Sequence, residues 1–104
     1  MIYDLFMKAG VEHREKGPAY IEYSEDGFAL HIYYYIKGKL HREGNPACID
    51  YYENKILYSE SYYISGELHR DEYPAIICYS SDGSISSESY YRNGIRHRER
   101  GQPS

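Results

Sequence analysis

Apolar and polar residues alternate with a period of two in three segments of this chain. In the first segment Ala19, Ile21 and Tyr23 alternate with Tyr20 and Glu22. The same pattern returns twice, as Ala47, Ile49, Tyr51 and as Ala75, Ile77, Tyr79. Alternation of this kind is typical of a half-buried β-strand, and no window shows the 3.6-residue period of a helix. The pattern therefore predicts strands, with little or no helix.

A short polar segment after each of these strands predicts a β-hairpin. Asp26-Gly27 and Asp82-Gly83 each offer a glycine for the positive φ that a tight reversal requires. The middle segment carries Asn54-Lys55 instead, and we expect Asn54 to adopt the left-handed conformation there. A second strand follows each turn and ends in paired aromatic residues, at Tyr34-Tyr35, Tyr62-Tyr63 and Tyr90-Tyr91. Each unit is thus predicted to be an antiparallel hairpin.

The dipeptide His-Arg recurs at a constant interval of 28 residues, which indicates an array of one small unit. The four copies are His13-Arg14, His41-Arg42, His69-Arg70 and His97-Arg98. A glycine lies three residues before each copy, at Gly10, Gly38, Gly66 and Gly94, and Pro-Ala follows the first three. We interpret the segment from the glycine to Pro-Ala as the connector between hairpins, with proline at the head of a strand, where its missing N–H costs least.

These patterns predict an all-β protein. We expect an antiparallel meander of about three and a half 28-residue β-hairpin repeats, forming a single repeat domain over residues 1–104. The predicted parts are a half unit 1–9, full units 10–37, 38–65 and 66–93, and a partial connector 94–104.

Composition favours a thin sheet over a deep core. Fifteen tyrosines stand against two phenylalanines and no tryptophan, and a tyrosine buries its ring while its hydroxyl requires water or a hydrogen-bond partner. Cys48 and Cys78 lie out of register in the repeat, so we expect two free thiols, as in a reducing cytosol. The chain lacks a recognisable signal peptide and an apolar stretch long enough for a bilayer, so we expect a cytoplasmic protein that does not enter a membrane.

The four His-Arg pairs suggest metal binding and phosphate binding, and the sequence disfavours both. Equivalent histidines should lie about 10 Å apart, twice the strand spacing, which is too far for two of them to bind one zinc ion. An acidic residue follows each arginine, at Glu15, Glu43, Asp71 and Glu99, and cancels the positive field that phosphate binding requires. We therefore predict a structural ladder that ties unit to unit, with no metal and no cofactor.

The paired tyrosines place one ring on each face of the sheet, because neighbouring strand residues point to opposite sides. Tyr34, Tyr62 and Tyr90 share a face with Phe28, Leu30, Ile32 and Ile36, and we expect this to be the buried side. On the other face Tyr35, Tyr63 and Tyr91 form a row together with His31, Tyr33 and Ser61. We predict that Tyr33, Tyr35, Tyr63 and Tyr91 form a partner-binding surface.

The second unit begins with the segment Gly38-Lys-Leu-His-Arg-Glu-Gly-Asn-Pro-Ala47. An Ile-x-Tyr strand follows, and Tyr-Tyr-x-x-Gly comes after the turn. This pattern resembles MORN-type repeats. The resemblance is strongest to the variant with Leu-His-Arg-x-x-Gly-Pro-Ala repeats, which occurs in phage, giant-virus and YwqK-like antitoxin proteins. It covers almost the whole chain, although tyrosine stands where such repeats often carry tryptophan. The resemblance implies an elongated array of hairpins that holds a partner, and it implies no reaction.

The sequence contains no nucleophile elbow, no phosphate loop and no cysteine placed beside a histidine and an aspartate, so we predict that the protein is not an enzyme. Our first hypothesis is a small cytosolic protein-binding module, phage- or mobile-element-encoded, that modulates or inhibits a partner protein in an antitoxin-like or anti-defence role. The alternative is a single-stranded nucleic-acid or nucleotide binder that uses tyrosine stacking and the basic C-terminus. Open sheet edges would also permit oligomerisation.

Overall fold

The computed structural model describes residues 2–97, and these form fourteen β-strands without a helix. In chain order the strands are β1 (Ile2–Leu5), β2 (Met7–Lys8), β3 (Val11–Glu12), β4 (Tyr20–Tyr23), β5 (Ala29–Tyr33), β6 (Tyr35–Ile36), β7 (Lys39–Leu40), β8 (Cys48–Tyr51), β9 (Leu57–Ser61), β10 (Tyr63–Ile64), β11 (Glu67–Leu68), β12 (Ile76–Tyr79), β13 (Ile85–Arg92) and β14 (Ile95–His97). The prediction of an all-β fold is confirmed. The described residues include no helix that could cross a bilayer.

Eight strands form one antiparallel sheet in the order β1-β4-β5-β8-β9-β12-β13-β14. Neighbours in the sheet follow one another along the chain once the short strands are left out, as in a meander. Three two-stranded ladders, β2-β3, β6-β7 and β10-β11, lie between the long strands in sequence. In the last part of the sheet the eight-residue β13 pairs with β12 through residues 85–89 and with β14 through residues 90–92.

The predicted hairpin turns are present at two Asp-Gly positions, and the middle turn differs from the expectation. The Gly27 N–H donates to the Ser24 carbonyl at 3.0 Å, and Gly83 makes the equivalent bond to Ser80 at 2.8 Å. In the middle turn Lys55, and not Asn54, has a positive φ, of 72°. The Asn54 side chain instead accepts a hydrogen bond from the Ile56 N–H at 3.1 Å, an Asx-type contact that stabilises the turn.

The segments predicted as connectors begin with a second hairpin that the sequence analysis did not identify. Lys37 and Gly38 have φ values of 52° and 77°, and Asn93 and Gly94 have 52° and 79°. Positive φ at both central residues is the signature of the two-residue type I′ turn, for which Asn-Gly is a preferred sequence. The dipeptide Asn93-Gly94 is therefore the sequence signal for this turn, whereas Lys37-Gly38 is not one of the preferred sequences.

Within residues 2–97, only small side chains are completely buried. Ala19, Ala47 and Ala75 are 0% exposed, and no larger described side chain is fully buried. The molecule measures 44 × 35 × 17 Å along its principal axes, so it is a thin slab. Most aromatic rings lie half-buried on the two surfaces of the sheet, where they cover the backbone without forming a deep core.

Candidate functional site

The strand register defines the two faces of the main sheet. His31, Asp50 and Ser59 are directly opposite one another across β5, β8 and β9, and Tyr33 is opposite Cys48 in the same way. Residues two apart on a strand share a face, so all five lie on one side, which we call the tyrosine face. The opposite side, the isoleucine face, carries Ile21, Ile32, Ile49 and Ile77.

The predicted partner-binding tyrosines lie on the tyrosine face. Tyr35 is paired with Leu40, Tyr63 with Leu68 and Tyr91 with Arg96 in the short hairpins. Tyr35 lines one cleft with Tyr20, Glu22 and Tyr33 of this face, and electrostatic interactions link Tyr63 to Cys48, Tyr35 and Tyr91. We name the apolar members of this set, Tyr35, Leu40, Tyr63, Leu68 and Tyr91, the tyrosine row.

Burial does not separate the two faces as sharply as expected. Tyr34 and Tyr62, predicted for the buried side, are half-buried, and so are Tyr35 and Tyr63. Partial burial raises the pKa of both Tyr35 and Tyr63 above the usual value for a phenol. A single-layer sheet explains this result, because no second layer in the described part of the chain covers either face.

A stack of three tyrosines occupies one end of the tyrosine face. The ring centroids of Tyr3 and Tyr20 are 5.9 Å apart, and those of Tyr20 and Tyr33 are 5.6 Å apart. The Tyr20 hydroxyl donates to Glu22 Oε1 at 2.7 Å, and this bond to a carboxylate raises the pKa of Tyr20 to about 12. The Tyr33 hydroxyl donates to Asp50 Oδ1 at 2.7 Å. The hydrogen bonds hold the hydroxyl ends of Tyr20 and Tyr33 in place, whereas stacking alone would allow the two rings to shift relative to each other.

Asp50 is the centre of a small polar cluster that the sequence analysis missed. Its Oδ1 lies 2.6 Å from His31 Nδ1 and its Oδ2 accepts a hydrogen bond from Ser59 Oγ at 3.2 Å. The serine is thus bonded to the carboxylate and not to the imidazole, which differs from the serine–histidine contact of nucleophilic catalysis. Only the register of β5, β8 and β9 brings these residues together.

Each of the first three histidines of the ladder contacts the next two-residue hairpin turn along the chain. Lys37 N–H donates to His13 Nδ1 at 2.9 Å and Ser65 N–H donates to His41 Nδ1 at 2.9 Å. Asn93 N–H donates to His69 Nδ1 at 3.0 Å. Each of these three imidazoles therefore uses one ring nitrogen to hold a turn located 24 residues later in the chain.

The arginines of the ladder pack on the first aromatic residue of each pair. The Cζ of Arg42 lies 3.9 Å from the ring centroid of Tyr34, and its Nη1 donates to the Pro46 carbonyl at 3.2 Å. The other two described arginines of the ladder make the same contacts: Arg14 with Phe6 and Pro18, and Arg70 with Tyr62 and Pro74. The backbone N–H of Arg42 also donates to the carbonyl of Tyr63 at 3.1 Å.

The last members of the ladder are only partly described. His97 is half-buried at the end of β14, with its ring 6.1 Å from that of Tyr90. Arg98 lies outside the described residues. Within residues 2–97 no group of three or more His, Cys, Asp or Glu side chains is arranged to hold a metal ion.

Cys48 and Cys78 are both free thiols and both lie on the tyrosine face. Burial, with a smaller contribution from the charge of Asp50, raises the pKa of Cys48 to about 12.

We expect iodoacetamide at about pH 8 to alkylate Cys48 more slowly in the folded protein than in urea, by roughly an order of magnitude or more, because the thiolate is the nucleophile. The Cys78→Ser variant isolates this rate. Equal rates in the folded and unfolded states would show that Cys48 is not shielded.

No protein-family model, curated protein or solved structure matches this chain.

Proposed function

We propose that this protein is a small, non-catalytic binding module that docks on another protein through its tyrosine face. The proposed architecture is a MORN-like elongated sheet of about three and a half 28-residue units. The proposed setting is the cytoplasm of a host cell, with the gene carried by a phage or mobile element and the partner modulated or inhibited. The recurrence of the His-Arg contacts every 28 residues supports the architecture.

The observation that carries the proposal is the tyrosine row. It places three rings and two leucines side by side on one surface, at intervals of about 10 Å between equivalent rings, and its rings are only half-buried. Tyrosine provides a large contact area with little loss of conformational entropy, which makes it common in binding surfaces. The described part of the chain supplies no second layer to cover the row.

Charge favours a protein partner over a nucleic acid on this face. Glu12, Glu22 and Asp50 lie among the tyrosines, and carboxylates repel a phosphate backbone. The rings of Tyr20 and Tyr33 also stack on each other, which occupies the surfaces that a base would use. Arg96 is the cross-strand neighbour of Tyr91 on this face, at the opposite end of the sheet from these carboxylates.

The test compares Tyr63→Ala with Tyr58→Ala. Tyr58 is 46% exposed and lies two residues before Glu60, on the isoleucine face, so it controls for the loss of a surface ring. Pull-down from the native host with mass spectrometry identifies the partner, and titration calorimetry then measures its affinity. We expect Tyr63→Ala to weaken binding by about 2 kcal/mol or more, roughly 30-fold, and Tyr58→Ala to leave it unchanged.

Thermal unfolding of both variants checks that they remain folded, and some loss of stability is expected for Tyr63→Ala because the ring is half-buried. Partner binding that survives Tyr63→Ala and is lost in Tyr58→Ala would place the interface on the isoleucine face. Binding of single-stranded DNA that weakens steeply with salt, with no protein captured, would support the nucleic-acid alternative.

A further inference from the structure

A cleft of about 230 Å³ opens on the tyrosine face of the first unit. Its lining consists of three phenol rings and two carboxylates, from Tyr20, Tyr33, Tyr35, Glu12 and Glu22. The lining contains no lysine, arginine or histidine. The cleft therefore combines aromatic walls with negative charge.

The walls of the cleft are held in place before any ligand arrives. Tyr20 is fixed by its hydrogen bond to Glu22 and by stacking on Tyr33, whose own hydroxyl is bonded to Asp50. The carboxylate of Glu12, by contrast, makes no hydrogen bond or ion pair within residues 2–97, although it is half-buried and lies near Tyr35. One carboxylate is thus anchored in the wall, and a second is available to a ligand.

The repeat itself does not require these residues. At the positions of Glu12, Tyr20 and Glu22 the second unit has Leu40, Cys48 and Asp50, and the third has Leu68, Ile76 and Cys78. Tyr33 is replaced by Ser61 and Ser89, and only Tyr35 recurs, as Tyr63 and Tyr91. The later units form the same strands with these other side chains. The aromatic and acidic lining is therefore specific to the first unit.

We propose that this cleft receives the cationic side chain of a lysine on the partner protein. A cation is attracted to the faces of aromatic rings and to carboxylates, and the methylene groups of lysine can pack along tyrosine rings while the ammonium reaches Glu12 and Glu22. A phosphate or carboxylate ligand is disfavoured by the two negative charges. The inference rests on the proposed function, and it assigns the chemistry of one contact on the tyrosine face.

The test uses the peptide acetyl-Gly-Lys-Gly-amide as the probe and the full 15N-labelled chain as the receptor, with binding followed by NMR chemical-shift changes. The matched control peptide replaces lysine with norleucine, which keeps the aliphatic stem and removes the charge. We expect the lysine peptide to shift the amides of Glu12, Tyr20, Glu22, Tyr33 and Tyr35, and the norleucine peptide to have little effect. An arginine peptide compares a guanidinium with an ammonium, and weaker binding than lysine is expected.

Two substitutions and one control variant locate the charge requirement. We expect Glu12→Gln to weaken the lysine peptide about tenfold and the Glu12→Gln, Glu22→Gln double variant to abolish measurable binding. Glu60→Gln is the control, because Glu60 also accepts a tyrosine hydroxyl, from Tyr79 at 2.8 Å, but lies on the isoleucine face. It should bind the peptide as the native protein does. If Glu22→Gln disturbs folding through the lost tyrosine bond, Glu12→Gln alone still decides the result.

The proposal is overturned if the norleucine peptide binds as well as the lysine peptide, or if the arginine peptide binds more strongly, which would make the site a guanidinium site. It is also overturned if the double variant binds the lysine peptide unchanged, or if the chemical-shift changes fall outside the cleft. Partner capture that depends on Tyr63 while the lysine peptide fails to bind would refute the lysine cleft and leave the proposed function standing. Lysine binding in the cleft, together with partner capture that ignores Tyr63→Ala, would refute the tyrosine row as the interface and support the cleft.

Discussion

Replacing Ala47 with leucine should lower the free energy of unfolding by about 3 kcal/mol, the upper part of the usual range for inserting large groups into packed sites. Ala47 is 0% exposed. Its N–H donates to the Ser61 carbonyl and its own carbonyl accepts from the Tyr34 N–H, both at 2.8 Å. Because the backbone at Ala47 is bonded on both sides, it cannot move outward to make room for three additional carbon atoms.

Urea unfolding followed by circular dichroism measures this effect, and Ala29→Leu is the control. Ala29 is half-buried at the start of β5, beside a register shift in the pairing with β4, so its surroundings should adjust to a larger side chain. We expect a much smaller change there. Equal and small changes at both sites would show that the buried alanines do not define the core.

Arg42→Ala should destabilise the protein by about 1–3 kcal/mol, the range for losing hydrogen bonds to a charged group. The guanidinium stacks at 3.9 Å on Tyr34 and bonds the Pro46 carbonyl at 3.2 Å, so one side chain joins a strand to the following connector. The loss should appear as a lower midpoint in the same urea experiment.

Arg42→Lys is the informative control, because lysine keeps the charge but has no planar group to stack on the ring. We expect it to recover only part of the lost stability. Full recovery would mean that charge alone is needed, and no loss in Arg42→Ala would assign the ladder to binding.

The hydrogen bonds of the described ladder histidines show which ring nitrogen carries the proton. His13, His41 and His69 each accept a backbone N–H through Nδ1. The nitrogen that accepts this bond carries no proton, so the remaining proton of the neutral ring is on Nε2. Each of these contacts holds the next two-residue hairpin turn along the chain.

Sequence analysis predicted the type of every long strand and the position of the turn inside each long hairpin, because alternation and Asp-Gly dipeptides are local signals. It missed the second hairpin, where Lys37-Gly38 and Ser65-Gly66 carry the turn. Two-residue strands are too short to display a period of two. The conformation of Lys55 was also missed, since Asn54 was the better left-handed residue by intrinsic preference.

The grouping of Tyr33, Tyr35, Tyr63 and Tyr91 on one face follows from strand alternation. Their partial burial does not follow, because the exposure of a ring depends on what lies opposite it. The Asp50 cluster and the cleft around Glu12 and Glu22 were not visible in the sequence.

The sequence by itself determined that this chain forms antiparallel hairpins at a 28-residue interval, because hydrogen bonding within a hairpin depends on residues close together in the chain. The tertiary structure alone decided which strands meet and with what offset. Glu12 and Tyr35 line one cleft although they come from different hairpins, and His31 meets Asp50 across 19 residues. Alternation assigns a residue to a face, whereas its neighbours on that face depend on register, on the shifts at Glu22/Tyr23 and Asp50/Tyr51, and on packing between units.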